Sequence, residues 1–289
     1  MAPLHERLRQ YATKNKLYRN LIAEFFGTFM LLFIGTSIVA QYHLGREKTT
    51  QYIGVNLGWA FNIMLCVLAT QRLSGGHLNP AVSILLWSMG HIPFTWFLLY
   101  SLAQLAGAFF GSACMYFYYY PLFDAFDGGV RAVLGSTGSA ACFSSYPNAI
   151  IANSFTTAFV DQIIGTGLLC YFVCVVLDER NEIPKKFYSP IFAALVLMIG
   201  TGFGYFLGYP INPARDLGPR LFSAFIYGMD VFRVPTSTYF LAPIFGPLVG
   251  GLLGGWFYNL TIGIHNPDIN EDQKDEPSNE SKKLLQAEP

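Results

Sequence analysis

Two segments of the chain carry the residue types from which a polar passage through an apolar medium can be made. One reads Gly75-Gly76-His77-Leu78-Asn79-Pro80-Ala81-Val82, the other Gly208-Tyr209-Pro210-Ile211-Asn212-Pro213-Ala214-Arg215-Asp216. In each, an irregular glycine-containing stretch leads into Asn-Pro-Ala and then into an apolar run. Asn is a good N-cap, and Pro fits the first helical position because its missing N–H costs nothing there. Asn79 and Asn212 therefore predict the caps of short helices beginning at Pro80 and Pro213. A capping Asn accepts through its carbonyl, which leaves its NH2 group as a donor. Two helix N-termini brought together add about half a positive charge each. Such a junction would hold a passing solute oxygen from both amides and repel cations. A water held from both sides cannot donate onward, so a proton wire would break there.

The irregular stretches supply acceptors. Unpaired backbone carbonyls at membrane depth are tolerated only where they line a wet cavity, which makes Gly75, Gly76, His77 and Leu78, with Leu207, Gly208, Pro210 and Ile211, a candidate ladder for solute hydroxyls. Arg215 projects one turn beyond the second cap, and an arginine at that depth is costly unless it faces water or a partner. Two acids, Glu24 and Asp161, fall inside apolar stretches. They would be either a proton relay or acceptors that hold the irregular stretches, and their matching positions in the two halves favour support. Asp216 and Arg220 are four apart on one helix face, the spacing of a local ion pair. His77 reads as a structural donor, since no second His or Cys accompanies it. No metal ligands and no cofactor motif are expected; Gly200-Thr-Gly202-Phe-Gly204 lies inside an apolar span with no strand before it, which excludes a phosphate loop.

These groups need a membrane-embedded frame to position them. Of 289 residues, 53% are hydrophobic and only 12% charged, against about 25% charged in a soluble domain. Six stretches are long enough for the roughly 30 Å of hydrocarbon: Leu21–Ala40, Tyr52–Leu73, Phe94–Tyr120, Phe155–Leu177, Pro190–Leu207 and Tyr239–Ile262. The fold class is an all-α membrane protein, six spans plus two re-entrant half-helices. The net charge is zero, so nothing suggests a nucleic-acid partner. Cys66, Cys114, Cys142, Cys170 and Cys174 show neither metal-ligand spacing nor a disulfide framework.

Arg7, Arg9, Lys14, Lys16 and Arg19 precede the first span, and Arg180, Lys185 and Lys186 follow the fourth. Basic flanks stay in the cytosol, so both termini are expected there, in a multi-pass protein of the cell membrane. The first Asn-Pro-Ala segment then dips in from the cytosolic side and the second from outside, an inverted repeat. The expected divisions are a tail over 1–20, repeat one over 21–120, an external loop over 121–154, repeat two over 155–263 and a polar, disordered tail over 264–289. Ser278, Ser281 and the stretch 282–285 within that tail could carry regulatory or sorting signals. Gly107-x-x-x-Gly111 and the series Gly246, Gly250, Gly251, Gly254 and Gly255 predict close helix packing in lipid.

With two Asn-Pro-Ala segments on an inverted repeat of six spans, the chain resembles the aquaporin (major intrinsic protein) family from about Leu21 to Gly263. The run Asn212-Pro-Ala-Arg-Asp-Leu-Gly-Pro-Arg220, above all Asp216 directly after Arg215, is similar to the glycerol-conducting aquaglyceroporins. The resemblance implies a selectivity filter of Trp59, Gly200, Tyr209 and Arg215, in which Gly200 leaves room that a histidine would fill in a water-only pore. It also implies a homotetramer with one pore per subunit. The function expected is a passive channel for glycerol, other small neutral polyols and water that excludes protons and ions. A water-selective pore of the same fold stays open through Tyr209. A proton-coupled transporter would need more titratable groups in the path. An intramembrane enzyme would need a Ser–His, paired-Asp or zinc arrangement, and the sequence has none.

Overall fold

The computed structural model describes residues 3–268; the tail signals considered at Ser278, Ser281 and 282–285 lie outside the described residues. Nine α-helices occur among them: α1 Leu4–Leu8, α2 Lys16–Leu44, α3 Tyr52–Thr70, α4 Pro80–Ser88, α5 Phe94–Asp127, α6 Phe155–Leu177, α7 Tyr188–Phe203, α8 Pro213–Tyr227 and α9 Ala242–Thr261. Six of these, α2, α3, α5, α6, α7 and α9, the last two with adjoining 3-10 turns, are long and apolar enough to cross a membrane. The other two of substance, α4 and α8, are the short helices that begin at Pro80 and Pro213.

Helix ends depart from the apolar stretches for local reasons. Asn15 caps α2 by accepting from Tyr18 N at 3.2 Å, so the basic flank with Lys16 and Arg19 is already helical. Rather than stopping before Pro121, α5 runs through it to Asp127 and ends at Gly128, φ 67°. Proline removes one ladder bond, a loss that a long membrane helix tolerates. Here Arg131 folds back onto the last turns, donating to Asp127 at 2.6 Å and Asp124 at 2.7 Å. Its guanidinium also covers the rings of Tyr116, Tyr120 and Phe123. Conversely, α3 and α7 stop short of the expected Leu73 and Leu207, at Thr70 and Phe203. The residues released there form the irregular approach to each cap.

Helices α2 to α5 and α6 to α9 form two repeats. In each, the first and last helices make the main pair, α2 with α5 and α6 with α9. Glycine sets the distance in both. A Cβ at Gly107 would stand 2.9 Å from Phe29 N on α2, and one at Gly250 only 2.8 Å from Ile163 Cα on α6. Backbones therefore meet directly, and any side chain at these positions would drive the pair apart. Across the repeats, α3 packs against α7.

Candidate functional site

The caps form as their sequence demands. Asn79 Oδ1 accepts from Ala81 N at 2.8 Å, and Asn212 Oδ1 accepts from Ala214 N at 3.0 Å and Arg215 N at 3.2 Å. Their amide nitrogens cross between repeats. Asn79 Nδ2 donates to the Ile211 carbonyl at 2.9 Å, and Asn212 Nδ2 donates to the Leu78 carbonyl at 2.8 Å. Each NH2 group thus has one hydrogen committed to the opposite repeat and one remaining, where the sequence alone suggests both are free.

The two residues that accept these bonds are strained. Leu78 has φ 51° and the β-branched Ile211 has φ 36°, conformations that cost on the order of 1–3 kcal/mol each and persist only when their surroundings over-determine them. Both are held at both ends: the carbonyl by the opposite Asn, the N–H by a buried side chain. Leu78 N donates to Glu24 Oε2 at 2.8 Å, and Ile211 N donates to Gln162 Oε1 at 2.9 Å.

Glu24 is fully buried and accepts four hydrogen bonds: from Ser74 Oγ, His77 N, Leu78 N and Gln104 Nε2. This is the supporting role expected of it. In the second repeat the geometry gives that role to Gln162 rather than to Asp161. Asp161 stands one residue off and receives a single hydrogen bond, from Gln162 Nε2 at 2.9 Å. A helix turns about 100° per residue, so neighbouring positions cannot face the same loop. The better guide is Glu24-x-x-x-Thr28 against Gln162-x-x-x-Thr166, a spacing present in the sequence.

A cavity of about 130 Å³ runs between the repeats, from Gln71, Leu177 and Tyr188 at one end to Trp59, Tyr209 and Arg215 at the other. Part of its lining is apolar, with Val67, Leu169, Val173 and Val196. Another part is made of 75–78 and 208–211 and the two Asn residues. The carbonyls of Gly75, Gly76, His77, Gly208, Tyr209 and Pro210 accept no hydrogen bond from any described residue, so they are the acceptors this part offers. Three ladder assignments change. Leu207 is outside the lining and its carbonyl accepts from Ser145 Oγ, while the Leu78 and Ile211 carbonyls each have one lone pair taken by an Asn. His77 is buried beside the cavity, with Nδ1 3.0 Å from Ser83 Oγ.

At the far end, Arg215 is 9% exposed, donates through Nη1 to the Phe143 carbonyl at 3.0 Å and sits 5.3 Å from the Trp59 ring centroid. Tyr209 lies against Gly200: a Cβ there would be 2.6 Å from Tyr209 Cζ and 2.8 Å from Asn56 Oδ1. The room that Gly200 leaves is therefore filled by the tyrosine ring, and Gly200 itself is outside the cavity lining. The Tyr209 hydroxyl donates to Asn56 Oδ1 at 2.5 Å.

The connection between α5 and α6 reaches into the site, which the sequence does not disclose. Asp216 and Arg220 form the expected ion pair at 2.8 Å, with both side chains wholly buried. Ser145 N donates to Asp216 Oδ2 at 2.8 Å, Ser144 Oγ to the Asp216 carbonyl, and Arg220 to the carbonyls of Ser145 and Val231 at 2.7 Å each. Tyr146 stacks its ring 4.9 Å from the Arg220 guanidinium. Residues 143–146 thus clamp the helix that carries Arg215.

An inverted pair of helical repeats, with two capped half-helices meeting beside a polar-and-apolar cavity, is the architecture of a multi-pass membrane channel. The chain belongs to the major intrinsic protein family, whose model matches residues 11–258. It is 36% identical over 273 residues to aquaporin-9 of Rattus norvegicus, covering 94% of this chain and 92% of the relative. It is 38% identical over 246 residues to aquaglyceroporin-3 of Trypanosoma brucei brucei, covering 85% and 79%. The X-ray structure of the aquaglyceroporin from Plasmodium falciparum superposes with a TM-score of 0.75 at 33% identity, covering 85% of this chain and 97% of that one.

Proposed function

We propose that the protein is a passive channel for glycerol, other small neutral polyols and water, and that it excludes ions and protons. The observation that carries this reading is the mixed lining of the cavity. A polyol has hydroxyls along one edge and carbon along the other, and the cavity is lined both by unpaired carbonyls and by apolar side chains. The Asn79 and Asn212 amides, with the N-termini of α4 and α8, form the midplane barrier to cations. Trp59, Tyr209 and Arg215 form the filter, backed by Gly200, and Glu24, Gln162 and Asp216 support it. Relatives that carry the name aquaglyceroporin favour the same substrate class. The channel body is 21–263, the termini are cytoplasmic, the site is the cell membrane, and four subunits each carry a pore. It is a channel and not an enzyme.

The test is proteoliposome swelling with glycerol and with water as separate driving solutes. Both should permeate down their gradients, unaffected by an imposed pH difference. Glycerol accumulating against its gradient under a pH difference would replace the channel with a coupled transporter.

A further inference from the structure

We propose that Asn56 sets the solute selectivity of the filter by holding the Tyr209 hydroxyl out of the aperture; this rests on the polyol-channel reading above. Asn56 is 1% exposed and lies three residues before Trp59 on α3, so one helix face carries both a filter residue and the anchor of another. Tyr209 reaches it because two glycines leave a slot. A Cβ at Gly200 would meet Tyr209 Cζ at 2.6 Å, and one at Gly204 would meet Tyr209 Cδ1 at 3.0 Å. Tyr52 bridges the same place from α3, its hydroxyl donating to the Gly204 carbonyl at 3.1 Å. The ring is enclosed by α3 on one side and by the end of α7 on the other, with its hydroxyl at the inner end of the slot, on Asn56 Oδ1.

The consequence is chemical. A phenol with its hydroxyl buried in the scaffold offers a solute only ring carbon, an apolar surface for the carbon edge of a polyol. The same phenol without its acceptor must find another partner, because a buried unpaired hydroxyl is costly. The nearest wet space is the aperture beside Arg215. There the hydroxyl would narrow the opening and compete for the solute's own hydrogen bonds. Asn56 touches the solute nowhere in this scheme and is a positioning residue.

The experiment compares wild type, Asn56→Leu and the double variant Asn56→Leu/Tyr209→Phe in proteoliposomes, each normalised to the amount of reconstituted protein. Leucine has the shape of asparagine without the acceptor. The ratio of glycerol to water permeability should fall in Asn56→Leu by roughly three- to tenfold, the range of one net hydrogen bond. It should recover in the double variant, which has no hydroxyl to place. A merely structural role for Asn56 predicts lost protein at an unchanged ratio. An unchanged ratio in Asn56→Leu, or a double variant as low as the single, would overturn the proposal. Should Asn56→Leu not reconstitute, Asn56→Ala removes the same acceptor without added methyl groups and is read by the same ratio. A wild type that passes water but no glycerol overturns the polyol reading and this inference together, whereas a glycerol-conducting wild type with an indifferent Asn56→Leu overturns only the latter.

Discussion

Glu24 and Gln162 occupy equivalent places in the two repeats, each four residues before a fully buried threonine, and each holds the N–H of the residue preceding an Asn cap. One is a carboxylate with four donors around it and the other a neutral amide. The two halves therefore share the geometry while one uses an acid and the other an amide. Asp161 explains why an amide suits the second site: Gln162 Nε2 donates to its carboxylate at 2.9 Å. A glutamate at 162 would set two acids side by side. Gln162→Glu should lower the thermal midpoint in detergent, and adding Asp161→Asn should recover most of the loss. Equal midpoints for the two variants would remove Asp161 from this account. Glu24→Gln keeps the shape but leaves two of four donors facing an NH2 group, a cost of about 2–5 kcal/mol that should appear as reduced folded protein.

The Asp216–Arg220 pair is wholly buried, so removing one partner strands the other. Arg220→Met should cost about 3–5 kcal/mol. It should also free residues 143–146, since both Ser145 and Tyr146 rest on that guanidinium. Membrane abundance and limited proteolysis of the α5–α6 loop check this together; an abundant variant with an intact loop would contradict it.

Arg215→Val acts on a different quantity. It removes the donor and the fixed charge of the proposed filter while leaving the Phe143 carbonyl without a partner. Ion conductance should rise from background, and the channel should admit solutes that wild type rejects. Planar-bilayer recordings beside swelling assays read this directly, with abundance measured in parallel.

Gly200→Ala should displace Tyr209, because the added Cβ lands 2.6 Å from Cζ. The ring would move toward Arg215, and glycerol permeability should drop further than water permeability. Equal reduction of both would place Gly200 outside the determinants of selectivity.

A cluster where α6 ends gives a pH prediction. Arg180 donates to both carboxylate oxygens of Asp178, and Tyr258 and Asn266 donate to Oδ2. The Arg180 guanidinium, helped by these two donors and opposed by partial burial, holds the Asp178 carboxyl well below the ordinary range. A depressed acid contributes stability above its unfolded value near 4 and loses it as the pH falls further. The difference in thermal midpoint between wild type and Asp178→Asn should be constant from pH 8 to pH 5 and shrink below pH 4. A difference that shrinks instead between pH 8 and pH 6 would point to another titrating group.

The frame was legible because its signals are local. Asn-Pro at a helix start and apolar length each act within a few residues, and they correctly yield six spans and two half-helices. What stayed hidden depends on which residue faces which across the bundle. Asp161 and Gln162 differ by one position, and only packing decides between them. Gly200 reads as empty space until Tyr209 is seen to fill it. Asn56, Phe143 and Ser145 act through partners 70 or more residues away, a distance over which no sequence pattern extends. Pro121 misleads for the opposite reason: its local rule is real, but Arg131 stabilises the helix beyond it.

The crossed amides of Asn79 and Asn212 also bear on how the chain is made. Neither re-entrant stretch can complete its own hydrogen bonding, since the Leu78 carbonyl waits for Asn212 and the Asn79 amide for Ile211. Roughly 130 residues separate the partners, and a ribosome adding about 5–20 residues per second needs on the order of ten seconds to cover them. Through that interval the first half-helix has unsatisfied polar groups at its tip and cannot settle in hydrocarbon. Entry of α4 into its final place is thus timed by synthesis of the second half, and truncation anywhere before Asn212 should leave the earlier loop accessible to water-borne reagents.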